Sequence, residues 1–250
     1  MKNRIFSMDS AKAIKAQGYG WLNAIHYMAP AATGGVGNLC PKATESCMRL
    51  CLGWESGQAA MVKNATDINS VRQSRIDKAR RFMRERPEYL ADLVRAIELA
   101  DAKAKREGLT LCVRPNGSTD IAWEGIKVTR GGKTFANVFE AFPHLQFVDY
   151  TKIASRLFRK LPANYKLVLS RTESNEAECA RALAAGHNVA AVFRGGLPES
   201  YLGAPVVNGD VHDLIHLQPA GAIIGLTPKG RKAKADRSGF VIDTQAAPAA

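Results

Sequence analysis

The chain has 250 residues, 46% hydrophobic and 23% charged, a balance that excludes a disordered or collagen-like polypeptide and suits one large domain. A formal charge of +12 points to an anionic partner, nucleic acid first and a small anionic substrate second, against the plainer reading of a basic, well-solvated surface. No apolar run is long enough to span a bilayer, so no membrane partner is expected.

Residues 1–7 begin basic, but Asp9, Ser10, Lys12 and Lys15 interrupt any apolar signal core. The expectation is a cytoplasmic protein with reduced thiols. A short helix is expected at 10–17, ended by Gly18, and the aromatic, apolar stretch 19–28 reads as a strand. His26 near its end is more often a packed, hydrogen-bonded residue than a metal ligand. The segment that follows, 34–53, holds three of the five cysteines in the spacing Cys40-x6-Cys47-x3-Cys51. Cys47 and Cys51, four apart, share a face if helical, and Cys40 can fold back onto that face from the Gly-rich run 34–37. Packing cysteines have no reason to cluster. Three thiolates suit an iron–sulfur cluster with one iron left open, or a zinc site completed by another residue. Cys112 and Cys179 read as core residues.

A helix is expected at 69–86, with Ile76, Ala79 and Phe82 on its apolar stripe and Arg72, Arg75, Arg80, Arg81 and Arg84 on the rest. A charge run is usually a solvated face, but one of nearly a single sign also fits phosphates, so these arginines are the nucleic-acid-binding candidates. Pro87 opens a second helix that runs to Arg106 and ends at Gly108. Short apolar strands then alternate with helices: 109–113, 145–148 with a helix to 160, 165–169 with a helix at 175–185, 189–193, and 222–226. That alternation argues a parallel sheet within a single α/β domain over 1–240, a full or partial (β/α) barrel, followed by a disordered tail at 241–250.

In such sheets the chemistry gathers just past the carboxyl ends of the strands. The residues there are Arg114, Asn116, Ser118 and Asp120; Asp149 and Lys152; Ser170, Arg171 and Glu173; Arg194, Gly195 and Gly196; and Lys229. They are expected to surround one net-basic mouth with the cysteines at its edge. The bland alternative is that Ser118 and neighbouring hydroxyl residues merely cap the following helices. Gly195 and Gly196 would let a cofactor come close to the backbone.

At these residues the chain resembles a family of phage- and plasmid-borne gene products with a CP-x-A…C-x3-C-(L/Y) segment near the N-terminus. Cys40, Pro41, Ala43, Cys47 and Cys51 match it. So do Arg114, Asn116, Ser118 and Asp120; Asp149, Tyr150, Thr151 and Lys152; Ser170, Arg171 and Glu173; and Gly225, Lys229 and Gly230. More distantly, three cysteines after the first strand of a barrel resemble radical S-adenosylmethionine enzymes, whose usual spacing is C-x3-C-x2-C. That resemblance implies a four-iron cluster on Cys40, Cys47 and Cys51, S-adenosylmethionine as a further cofactor, and an enzyme of a mobile element acting on an anionic substrate such as nucleic acid. The rival is a non-catalytic nucleic-acid-binding protein stabilised by zinc or a cluster.

Overall fold

The computed structural model describes residues 4–245, with residues 11 and 12 described by backbone alone. The chain opens with β1 (Phe6–Ser7), α1 (Ala11–Gln17) and β2 (Trp21–His26). The cysteine segment carries α2 (Glu45–Arg49) and α3 (Leu52–Glu55), and two long helices follow, α4 (Ser70–Arg84) and α5 (Arg86–Arg106). Then come β3 (Thr110–Arg114), the hairpin β4 (Val128–Arg130) and β5 (Lys133–Phe135), α6 (Val138–Ala141), β6 (Gln146–Thr151) and β7 (Tyr165–Ser170). The rest is α7 (Glu176–Ala184), β8 (Val189–Arg194), β9 (Ser200–Tyr201), β10 (Ala204–Asn208), β11 (Ile223–Leu226), α8 (Gly230–Lys234) and β12 (Val241–Asp243).

Local chemistry sets the helix ends. The Asn69 side chain accepts the Arg72 N–H at 2.9 Å and starts α4. Pro87 in the first turn of α5 needs no hydrogen-bond partner there. Gly108, at φ +68°, turns the chain into β3. The buried stripe of α5, Leu90, Leu93, Val94, Ile97 and Ala100, lies in the main core. Burying each of its large side chains contributes roughly 1.5–3 kcal/mol.

The main sheet has ten strands in the order β1-β2-β3-β6-β7-β8-β11-β10-β9, with β12 also on β8. From β2 to β10 every neighbouring pair is parallel, while β1 and β9 attach antiparallel at the two ends. Since β2, β3, β6, β7 and β8 lie side by side in chain order, their carboxyl ends share one edge. One face packs on α4, α5 and the hairpin through Leu111, Phe147, Leu169 and Phe193. The other holds Cys112, Val148, Val168, Ala190 and Ile224 against Ala16, Leu214 and Ile215.

The fold is thus α/β with a mostly parallel central sheet. Among the described residues nothing pairs β1 with β9, so the sheet does not close, and the expected full barrel is corrected to an open, mostly parallel sheet. β12 makes a second correction, because Val241–Asp243 lies in the segment expected as tail. Val192 pairs with both Leu226 of β11 and Val241 of β12, so these two flank opposite edges of β8. β7 pairs with β8 only at Val189 and Ala190, on the edge away from β11. β12 therefore fills the gap that opens where β7 and β8 diverge. The tail residues 246–250 lie outside the described residues. The helix expected up to residue 160 is only the short turn Ala154–Arg156.

Candidate functional site

At the carboxyl edge of the sheet is a cavity of about 200 Å³. Strand ends supply one wall: Arg114, Tyr150, Ser170, Val192 and Leu226. The cysteine segment supplies the facing wall: Cys40, Cys47, Leu50, Cys51 and Gly53. Lys152, Arg171, Thr227, Lys229 and Phe240 complete it.

The cysteine wall is held by its own sequence. Thr44 caps α2, its Oγ1 accepting the Cys47 N–H at 3.1 Å and donating to Glu173 Oε2 at 3.1 Å. The Cys40 N–H donates to Asn38 Oδ1 at 2.8 Å, and the Ala31 N–H donates to Cys40 Sγ at 3.2 Å. Gly53 lies so close to Ser118 that any Cβ at 53 would collide with the serine Cβ. The Asp120 N–H donates to the Leu39 carbonyl at 2.9 Å, fixing this wall to the turn after β3.

That turn is rigid. Asn116 donates its backbone N–H and Nδ2 to Asp149 at 2.7 and 2.9 Å, and its Oδ1 accepts from Thr119, Ile121 and Trp123. Asp120 accepts from the Thr151 hydroxyl, the Lys152 N–H and Arg156 at 2.7–2.9 Å. Asn116 and Asp120 therefore line the cavity with their polar groups already engaged in holding its frame.

The cations are partnered as well, though among the described residues two of them keep a donor unmatched. Burial works against the Lys152 ammonium, but the adjacent Cys47, to which it hydrogen-bonds, and Asp120 hold its pKa above the ordinary lysine value. Arg114 lies 3.3 Å from Asp213 and 4.6 Å over the Tyr150 ring. Arg171 donates to the Gly239 carbonyl and reaches Glu176 at 3.3 Å. Among the described residues, the Nε of both arginines is buried without an acceptor, a condition that calls for a ligand, water or ion. Lys229 pairs with Asp210 at 3.0 Å.

Burial pushes the Cys40 thiol up to about 11 and Cys51 up to about 12, with nearby Cys47 adding to both. The donor set fits a thiolate-bound cluster: three sulfurs share one wall, a backbone N–H reaches the first, and an ammonium reaches the second. It fits a single ion less well. Among the described residues no three His, Cys, Asp or Glu side chains gather closely enough to hold one metal. All three cysteines lie on the wall of the one cavity, near enough for Cys47 to act on both Cys40 and Cys51.

Several candidates lie elsewhere. Asp149 is fully buried under Asn116 and Tyr165 rather than in the cavity. Glu173 is turned to Thr44. Arg194 binds Asp243 at 2.7 Å and the Asp236 carbonyl at 2.9 Å, because β12 covers the end of β8. Gly195 packs under Thr244 and Gln245, leaving neither it nor Gly196 on the cavity wall. His26 is buried, with Nδ1 donating to the Pro115 carbonyl at 3.0 Å and Nε2 accepting from the Tyr89 hydroxyl at 2.6 Å. It has no nitrogen left for a metal.

A family model described as gene product 88 matches residues 4–244. The chain belongs to the gene product 88 family. No curated protein and no solved structure matches it. The family match covers both walls of the cavity. No helix among the described residues is long and apolar enough to cross a membrane.

The arginines of α4 are mostly engaged inside the molecule. Arg72 is 1% exposed and donates to the carbonyls of Trp54, Ala59, Ala65 and Asp67 at 2.8–3.0 Å. It is corrected from a phosphate contact to a brace. Arg75 reaches the Gly53 carbonyl and stacks over Tyr27, and Arg80 donates to Gly34 at 3.1 Å. Arg81 pairs with Asp92 at 2.8 Å and with Glu85. Arg84 is exposed. Conversely, sequence reasoning did not select Tyr150, Thr227 or Phe240 as site residues. Tyr150 lay inside the D-Y-T-K stretch and Thr227 beside Lys229, so both had a signal. Phe240 had none, since only the docking of β12 brings it in.

Proposed function

We propose that Cys40, Cys47 and Cys51 hold an iron–sulfur cluster, and that the chain is an enzyme of the radical S-adenosylmethionine kind acting on an anionic substrate. One observation carries this reading: three cysteines share the wall of one cavity with Arg114, Lys152, Arg171 and Lys229. When bound, such a cluster supplies an electron to a ligand at its open iron. The protein's part is to bind and orient. Lys152 stands beside Cys47 as a fixed positive charge. Arg114 and Arg171 present guanidinium donors suited to a carboxylate or phosphate, and Leu50, Val192, Leu226 and Phe240 keep the cavity partly apolar. S-adenosylmethionine is the cofactor this reading implies, its carboxylate matching the cations.

The test is anaerobic purification with iron and sulfide analysis and a visible spectrum, followed by S-adenosylmethionine consumption under a reductant. Cys47→Ala should lose the iron and the brown colour while remaining folded by circular dichroism. Stoichiometric zinc without iron in the wild-type protein would sink the cluster. Iron retained in full by Cys47→Ala would remove that residue from the ligand set.

A further inference from the structure

Beside the cavity lies a second, wider depression of about 580 Å³. Lys152 belongs to the walls of both. Lys42 from the cysteine segment, Phe158 from the turn after β6, and Arg181 with Glu178 from α7 line the rest of its length. Two exposed cations, Lys42 and Arg181, thus stand with one acid, the adjacent Arg159 and Lys160 are exposed as well, and the Lys152 ammonium is turned to Cys47. Phe158 is 50% exposed, so its ring stands among these basic side chains within reach of a ligand. It is held in place: His187 meets it edge-on at 5.6 Å, and the Arg181 guanidinium stands 5.8 Å from its centre.

We propose that this groove binds single-stranded nucleic acid, with a base stacked on Phe158 and backbone phosphates on Lys42 and Arg181, and that it leads the strand towards Lys152 and the cavity. A small anion has no use for an exposed aromatic ring, and a duplex hides the faces of its bases. A single strand offers both the charge and the π-face that the groove matches. The cations of α4 are largely engaged internally, whereas Lys42 and Arg181 of this groove are exposed. The inference rests on the reading of the cavity as an active site and names the class of its substrate.

Fluorescence anisotropy of the full chain with labelled oligothymidylate and oligouridylate of about 12 nucleotides, and with a duplex of equal length, tests it. Single strands should bind, and log affinity should fall with log salt by about 0.7 per phosphate contact. Phe158→Ala and Phe158→Leu should each weaken binding about fivefold or more, the leucine keeping the site apolar without a stacking face. Arg181→Ala should weaken binding and flatten the salt slope, while Arg84→Ala on α4 leaves both unchanged. Absence of binding at low salt, or equal affinity for duplex with no effect of either Phe158 variant, overturns the proposal. So does a polyglutamate peptide that binds as tightly and depends equally on Phe158, which would assign the groove to an acidic protein. Iron is measured on the same preparations. Iron without strand binding removes the groove alone, and strand binding without iron supports the groove while removing the cluster.

Discussion

His26 and Asp149 are both fully buried near the turn after β3, and they answer to pH in opposite directions. Burial, with nearby Lys78, pushes the His26 pKa from 6.5 down to about 3. The unfolded chain then takes up a proton below pH 6.5 that the folded chain refuses, so stability is present above that pH and is lost as pH falls. Burial pushes Asp149 from 3.8 up to about 7, against the hydrogen bonds it accepts from Asn116 and Tyr165. Here the folded chain holds the proton longer, so the contribution is present below pH 3.8 and is lost as pH rises to about 7. Urea unfolding of His26→Gln and Asp149→Asn across this range separates the two. The deficit of His26→Gln relative to wild type should be largest above pH 6.5 and shrink in acid. That of Asp149→Asn should be largest near pH 4 and shrink towards neutrality. Each deficit should reach about 1–3 kcal/mol at its maximum, and parallel pH profiles for the two variants would contradict this account.

At the scale of elements, Arg72 braces the chain between α3 and α4. It gathers the carbonyls of Trp54, Ala59, Ala65 and Asp67 and stands 4.6 Å over the Trp54 ring. Arg72→Ala should cost about 3 kcal/mol, since several charge-assisted hydrogen bonds go at once, and should open residues 56–67 to limited proteolysis. Arg84→Ala, on the exposed side of the same helix, should change stability by under about 0.5 kcal/mol. Equal protease resistance in both variants would show that Arg72 is not the brace. The sequence displayed these arginines as one charge run, because their acceptors are backbone carbonyls and carbonyls have no signature in sequence. The strands at 110–114, 165–170 and 189–194 were legible, since apolar β-branched runs ended by basic or small residues leave few alternatives. The helix expected after residue 152 failed for a long-range reason. Asp120 takes the Thr151 hydroxyl and the Lys152 N–H and so keeps β6 extended to Thr151. A partner some 30 residues away outweighed local helix propensity. The cysteine spacing was the most legible part of the site, and the share given by β12 the least, because three residues near a terminus carry too little pattern to announce a strand.

Across the whole molecule, the cysteine segment bridges two distant parts of the chain. On one side it is joined to the turn after β3 through Leu39–Asp120 and Gly53–Ser118. On the other, Arg49 binds Asp236 at 2.6 Å, Lys232 binds Glu55 at 2.9 Å, and Leu50 packs with Ala233 and Val241. Asp236 is the pivot of that second attachment. It is buried, and it also accepts the Ser238 hydroxyl at 2.9 Å and the Val241 N–H at 3.1 Å, which hands the chain on to β12. Burial alone would raise its pKa, but these donors and Arg49 hold it below the usual carboxylate value. Its contribution is therefore present above the unfolded pKa of 3.8 and is lost as pH falls through the lower folded value. Asp236→Ala should cost about 2–3 kcal/mol, roughly 5–10 °C in Tm for a chain of this size. It should also detach β12 from β8 and loosen α8 from the cysteine segment, giving protease access beyond Lys229. On the proposed reading it should lower the iron content as well, although every cysteine remains, because the wall that carries them would lose its attachment to the C-terminal segment. Lys232→Ala, which breaks a more exposed pair, should cost under about 1 kcal/mol and leave the iron in place. If Asp236→Ala melts with the wild type and keeps its full iron, the cysteine wall stands on its own and the C-terminal segment is only its neighbour.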